Sequence, residues 1–189
     1  MPSKRTSSSK KSNDALAMLK ADHDKVKKMF KEFERMTEDD EPGEEAEELA
    51  KQICNELTVH TTIEEEIFYP EARSALEDDE DLVDEAEVEH ASAKELISQI
   101  ESMSSSDDKF AAKVCVLGEY INHHVKEEQD EMFPKVKKAK LDLQELGQRL
   151  MTRKQELMSD MGMEQEGEES EEGQQPPSRR SGGRAHASR

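Results

Sequence analysis

His60, Glu64 and Pro70 recur as His124, Glu128 and Pro134, a histidine, a glutamate four residues on and a proline ten residues after the histidine. Each copy is preceded by one further histidine, His23 or His90. A shift of 64 lays Ile53, Leu57, His60 and Glu64 on Leu117, Ile121, His124 and Glu128. A shift of 67 lays Leu16, Leu19, His23, Val26, Phe30 and Phe33 on Val83, Ala86, His90, Ala93, Ile97 and Ile100. Apolar residues fall on apolar ones and histidines on histidines. The steps within each set alternate three and four, the spacing of one inward face of an α-helix in a bundle. Four amphipathic helices therefore each carry a histidine on the stripe that must be buried, and two of them add a glutamate.

Composition limits what such a bundle can be. Of 189 residues, the ends read as unable to pack, and the remainder suits one helical core. With no Trp and 39% charged residues, the apolar stripes must be narrow and the outer faces solvated. No stretch reads as a transmembrane helix or a secretory signal, and a cytoplasmic protein is expected. The net charge of −19 divides into +4 over residues 1–13 (Lys4, Arg5, Lys10, Lys11), −2 over residues 161–189 (six Glu, four Arg) and hence −21 over residues 14–160. Such a folded surface repels nucleic acid and attracts cations. Cys54 and Cys115 do not correspond under either shift and fit a reducing compartment better than a disulfide framework.

The expected fold class is all-α, with an additional C-terminal helix and disordered tails. Residues 1–13 form a basic N-terminal tail, 14–140 the bundle, 141–160 the extra helix and 161–189 a second tail. The first helix starts at a cap on Asn13 or Asp14 and ends near Met36, and the second runs from about Glu44 to Ala75. Pro70 lies inside the second helix, lacks an amide hydrogen and clashes with the carbonyl four residues back, so a kink or break is expected just after the His60–Glu64 pair. The third helix spans about Asp81 to Met103, and Ser104 to Ser106 form a loop. The fourth runs from about Asp107 to Pro134, which repeats the Pro70 device. Leu141, Leu146, Leu150 and Leu157 outline the extra helix, placed either to cover one side of the bundle or to mediate homo-oligomerisation.

The chemistry follows from the spacing. Residues four apart share a helix face, so His60 with Glu64 and His124 with Glu128 can each present an imidazole nitrogen and a carboxylate to one ion or to adjacent ions. Buried glutamates without partners cost several kcal/mol each, about 3 or more, a conflict that bound cations remove. The metal ligands expected are therefore His23, His60, Glu64, His90, His124 and Glu128. Nitrogen and carboxylate donors suit a pair of first-row transition ions, and the absence of a cysteine from the ligand face argues against a closed structural zinc site. His123 with Glu127 repeats the spacing, but the apolar stripe and the distance to Pro134 select His124 and Glu128 and leave His123 at the surface. Glu65 and Glu66 are expected in solvent, while Asp22 and Glu89 point about a quarter-turn from the histidines they precede and can serve only a neighbouring helix's histidine.

The segments L-T-V-H-T-T-I-E-E-E-I-F-Y-P from Leu57 and I-N-H-H-V-K-E-E-Q-D-E-M-F-P from Ile121, with Asp22-His23 and Glu89-His90, resemble the bacterial hemerythrin-like HHE cation-binding domains over roughly residues 14 to 140. The resemblance implies an up-down-up-down four-helix bundle holding two non-haem iron ions, with an oxo, hydroxo or water bridge, on the same six residues. Oxygen-carrying hemerythrins have a second histidine on the third helix and a carboxylate five residues after the fourth-helix histidine, where this chain has Lys94 and Gln129. The resemblance thus implies iron, dioxygen, nitric oxide or peroxide handling rather than transport. A ferritin-like oxidase fits less well, because only Glu87 with His90 gives the Glu-x-x-His pattern.

Three functions follow. The first is a di-iron protein that binds or senses dioxygen, nitric oxide or iron. The second is a di-iron enzyme with catalase- or peroxidase-like or nitric-oxide-handling activity. The third is a helical interaction bundle with structural histidines and no metal.

Overall fold

The computed structural model describes residues 14–38, 42–76 and 79–163. The basic N-terminal tail, the Asn13 cap and all but the first residues of the 161–189 tail lie outside them. Among the described residues every regular element is helical. Helix α1 covers Ala15–Thr37, α2 Glu44–Ile63, α3 Tyr69–Ala75, α4 Asp81–Glu101, α5 Phe110–Glu127, α6 Phe133–Lys138 and α7 Leu143–Asp160. Two π-helical segments, π1 (Glu64–Phe68) and π2 (Glu128–Met132), join α2 to α3 and α5 to α6 without a loop.

Local chemistry sets the boundaries. Asp14 starts α1 by accepting the Ala17 amide at 2.9 Å. Asp142 starts α7 by accepting the amides of Gln144 and Glu145 at 3.1 and 3.0 Å. The fourth long helix begins at Phe110, three residues later than the sequence implies. Asp107 is occupied in the preceding turn, where it accepts the Ser104 amide at 2.8 Å, and Lys109 takes a left-handed conformation (φ 71°) that no α-helix can include.

The two prolines act through wider turns. The amides of Tyr69 and Phe133 reach back five residues to the carbonyls of Glu64 and Glu128. Pro70 and Pro134 have no amide hydrogen to give, and an extra residue in the preceding turn moves the ring away from the carbonyl it would strike. The expected kink is therefore a π turn in both copies. Its geometric effect is to bring the fifth residue after each glutamate, Tyr69 or Phe133, back to the inner face, where both are buried.

Helix α1 packs against α2 and α5, α2 against α4, and α4 against α5, closing a ring. The core is divided into two apolar clusters. One contains Val26, Phe30, Phe33, Ile53, Leu57, Ile97, Leu117 and Ile121, and the other Leu19, Ile63, Phe68, Val83, Met132, Phe133 and Leu150. Helices α1 and α4 pass from the second cluster to the first at His23 and His90, α2 passes from the first to the second at His60, and α5, with His124 near its end, reaches the second cluster through π2 at Met132. Close approach of α1 and α5 rests on Gly118, where a β-carbon would lie 3.0 Å from the Phe30 ring. Helix α7 lies over α1, α2 and π1, buries Leu146 and Leu150, and is clamped by Arg149 on Glu71 (2.7 Å) and Arg153 on Glu66 (2.6 Å). No helix among the described residues is long and apolar enough to cross a membrane.

Candidate metal centre

All six residues singled out in the sequence meet in the layer between the apolar clusters. His23, His60, Glu64, His90, His124 and Glu128 are each at most 5% exposed. The Nε2 atoms of His23 and His60 are 2.9 Å apart, and those of His90 and His124 are 3.1 Å apart. Glu64 reaches both pairs, with Oε2 3.1 Å from His60 Nε2 and 3.4 Å from His90 Nε2. Glu128 Oε2 lies 3.3 Å from His23 Nε2 and 3.6 Å from His124 Nε2. The donors form two overlapping groups, His23, His60, Glu64 and Glu128 in one and Glu64, His90 and His124 in the other.

The outer nitrogen of every imidazole faces its own polar side chain. His90 Nδ1 donates to Glu65 at 3.1 Å, and His124 Nδ1 donates to Glu89 at 2.8 Å. Asp22 Oδ2 lies 3.6 Å from His60 Nδ1, and the Gln129 amide meets His23 Nδ1 at 2.9 Å. Rotating that amide presents its oxygen to an Nδ1–H, as a His23 with a free Nε2 requires. Asp22 and Glu89 each serve the neighbouring helix, as their placement a quarter-turn from His23 and His90 implies. Lys154 of α7 binds the other oxygen of Asp22, so the C-terminal helix connects to the centre through one carboxylate.

This arrangement fits a bound cation. With Nδ1 hydrogen-bonded outward on His23, His90 and His124 and facing the Asp22 carboxylate on His60, the Nε2 lone pairs of each histidine pair point at one another at hydrogen-bond distance, which is repulsive unless positive charge sits between them. Both oxygens of Glu64 and Oε2 of Glu128 are buried without a hydrogen-bond partner. Buried polar atoms are rarely left so. In the metal-free chain protons supply the missing charge. Burial alone would push His60 down, but the Glu64 carboxylate and Asp22 overcome it and hold the imidazole at about 10. His124 is raised in the same way, burial being outweighed by Glu128 and Glu89. Glu128 is held at about 2, because the histidines, led by His124, outweigh the burial that opposes its charge.

Two participants escaped the sequence reading. Tyr69 is fully buried, and its hydroxyl lies 3.1 Å from both Glu128 Oε1 and His90 Nε2. Burial, then the carboxylates of Glu128 and Glu64, keep the phenol protonated by raising it well above its ordinary value. Its sequence signal was its place five residues after Glu64, a position that faces inward only if the intervening turn is π. Glu65 was expected in solvent. It is instead partly buried between His90 and Lys94, whose ammonium it meets at 2.7 Å. The shift of 64 carries Glu65 onto Gln129, the His23 partner, and that correspondence would have found it. Of the two residues that stand where oxygen carriers have ligands, Lys94 thus holds Glu65 behind His90, and Gln129 meets His23 directly. His123 is 64% exposed, with Nε2 3.2 Å from Glu127, and Glu66 is on the surface with Arg153.

On the Val26, Leu57, Ile121 and Val125 side the centre is closed to a cavity of about 10 Å³, room for no more than one water. On the α4–α5 side an acidic pocket of about 50 Å³ reaches His124 and Glu128.

A helical bundle with a buried cluster of histidine and glutamate donors defines a cation-binding protein. The family model of the hemerythrin HHE cation binding domain matches residues 14–136, and the chain belongs to that family. A protein named DNA nickase from Nostoc sp. is 30% identical over 122 residues, 64% of this chain, and the match spans only 32% of that protein. The crystal structure of a hemerythrin HHE cation binding domain-containing protein from Mycobacterium kansasii superposes with a TM-score of 0.65 at 23% identity, covering 78% of this chain and 88% of that one, and so shares the fold.

Proposed function

We propose that the chain is a non-haem di-iron protein whose four-histidine, two-glutamate centre binds or senses dioxygen, nitric oxide or iron itself. The observation that carries this reading is the pairing of inward Nε2 atoms with glutamate oxygens that have no other partner. His23 and His60 would hold one ion, His90 and His124 the other, and Glu64 and Glu128 would span both. The alternating order in which α1, α2, α4 and α5 cross the two clusters supports an up-down-up-down bundle around it. Bound iron would supply one-electron chemistry and open positions for a small ligand.

The chain's own residues do the rest. Asp22, Glu65, Glu89 and Gln129 orient the imidazoles, and the apolar clusters keep water from the donors. Lys94 and Gln129 are engaged elsewhere and cannot complete a carrier's ligand set, which favours sensing or redox handling over transport. DNA chemistry is disfavoured by the −21 charge of residues 14–160.

One observation favours the enzymatic alternative. Tyr69 keeps its proton at the centre and would offer a hydrogen bond to a peroxide held there. Metal analysis and absorption spectra of protein loaded anaerobically with ferrous iron test both readings. Close to two irons per chain and a spectrum that responds to nitric oxide are expected, and no retained iron would sink the proposal. Peroxide turnover lost in Tyr69→Phe would move the assignment to the enzyme.

Loading should also release protons. At neutral pH the metal-free protein carries one on His60, held at about 10, and the upward shift of His124 acts in the same direction. Coordination through Nε2 requires such protons to leave, so the apparent affinity rises with pH. Calorimetric titration in two buffers of different ionisation enthalpy counts the protons. A heat independent of buffer would mean that the imidazoles were already neutral.

A further inference from the structure

We propose that the acidic pocket between α4 and the α5–π2 rod is the route by which a divalent transition cation enters the centre, with an outer holding site on Glu89, His123 and Glu127. The inference rests on the metal-centre reading above and names how that centre is filled.

Glu85, Glu89, Glu127 and Glu131 line the pocket walls, and no lysine or arginine is among its described lining residues. Its floor is His124 and Glu128, two residues of the centre. Glu128 is 2% exposed and belongs to both pocket and centre, where its Oε2, without a hydrogen-bond partner, faces His23 and His124. At the rim, one ligand atom from each of Glu89, His123 and Glu127 lies within 4.8 Å of the others. His123 Nε2 is 3.2 Å from Glu127 and 3.7 Å from Glu89.

Glu89 ties rim to floor, because its second oxygen accepts from His124 Nδ1 at 2.8 Å. An ion at the rim is therefore one side chain away from a ligand of the centre. The pocket's volume of about 50 Å³ admits an ion with part of its water shell, while the apolar side offers about 10 Å³ and a single carboxylate, Asp22, already paired with Lys154. A narrow cleft walled by one sign of charge concentrates counter-ions and speeds their arrival. Mixed imidazole and carboxylate donors at the rim suit the same first-row ions as the interior, and a set open to solvent holds them weakly enough to pass on.

Stopped-flow absorbance with Co²⁺ and full-length metal-free protein tests the route, since cobalt in a nitrogen and oxygen site is visible without turnover. Glu127→Gln with Glu131→Gln should slow uptake by ~10-fold, and His123→Ala should slow it measurably. Both should reach the wild-type number of bound ions and the wild-type final spectrum, which also shows that they fold. Added salt should slow the wild-type protein more than the double variant. Glu34→Gln with Glu38→Gln removes the same charge from the exposed far end of α1 and should leave the rate unchanged.

Unchanged uptake in the pocket variants, or equal slowing in the control, overturns the route. Fewer ions bound at equilibrium in the pocket variants also overturns it, by making those side chains part of the centre. Wild-type protein that binds no Co²⁺ at equilibrium overturns the metal centre itself, an outcome distinct from a failed route.

Discussion

His124→Ala is expected to lose at least one of the two ions proposed for the centre, whereas His123→Ala keeps both. The two histidines are sequence neighbours with glutamates four residues on, yet His124 is buried with Nε2 toward His90, and His123 is 64% exposed. Removing the His124 imidazole deletes a donor, strips the buried Glu128 of a charge partner and frees Glu89 from its hydrogen bond. Losing one partner of a buried pair costs about 3 kcal/mol, so the metal-free variant should also melt earlier. Removing His123 leaves Glu127 partly open to solvent and Glu89 still held by His124. Elemental analysis after loading and desalting reads the difference, and the opposite pattern would mean that α5 is rotated by one residue and that Glu127 replaces Glu128.

Stripping metal from the wild-type protein should lower its melting temperature by ~10 °C or more. An ion held by the folded centre and not by the unfolded chain stabilises by RT ln(1 + [L]/Kd), about 4 kcal/mol at a thousand-fold excess over Kd, and a domain of this size shifts by roughly 2–4 °C per kcal/mol. The structure gives the effect a definite seat. Every long helix of the ring contributes a donor at the level where it passes between the two apolar clusters, so an ion there cross-links all four. Melting followed by circular dichroism with and without chelator measures the shift. Equal melting temperatures would count strongly against a buried site.

How much of this was legible in the sequence depends on what each feature rests on. The stripes and the six buried donors follow from helical spacing, because a period of three and four residues fixes which side chains share a face. The His124 register was legible for the same reason. The start of α5 was not, since it is set by Asp107 turning back to Ser104 and by the left-handed Lys109, neither of which has a periodic signature. Tyr69 was hidden because α-helical phasing carries it off the inner face, and only the extra residue in the π turn brings it back. Glu65 was hidden in a run of three glutamates, where charge alone gives no sign that one of them meets a histidine of another helix. The repeat supplied that information through Gln129, but only once the role of Gln129 was known.

The same repeat shows where the two halves have parted. Under the shift of 64, Tyr69 corresponds to Phe133 and Glu65 to Gln129. The pair His90 and His124 has a carboxylate behind each outer nitrogen and a phenol hydroxyl beside it. The pair His23 and His60 has one carboxylate, one neutral amide and a phenyl ring stacked on His23 at 5.9 Å. An anionic partner makes an imidazole a stronger donor than an amide does. The centre therefore has a polarity along the line joining the pairs: the His90 end carries the more strongly polarised imidazoles, and the His23 end the larger group of donors. Two chemically similar seats become distinguishable through side chains that touch neither, and a Gln129→Glu, Tyr69→Phe chain would be the nearest to one in which left and right are interchangeable.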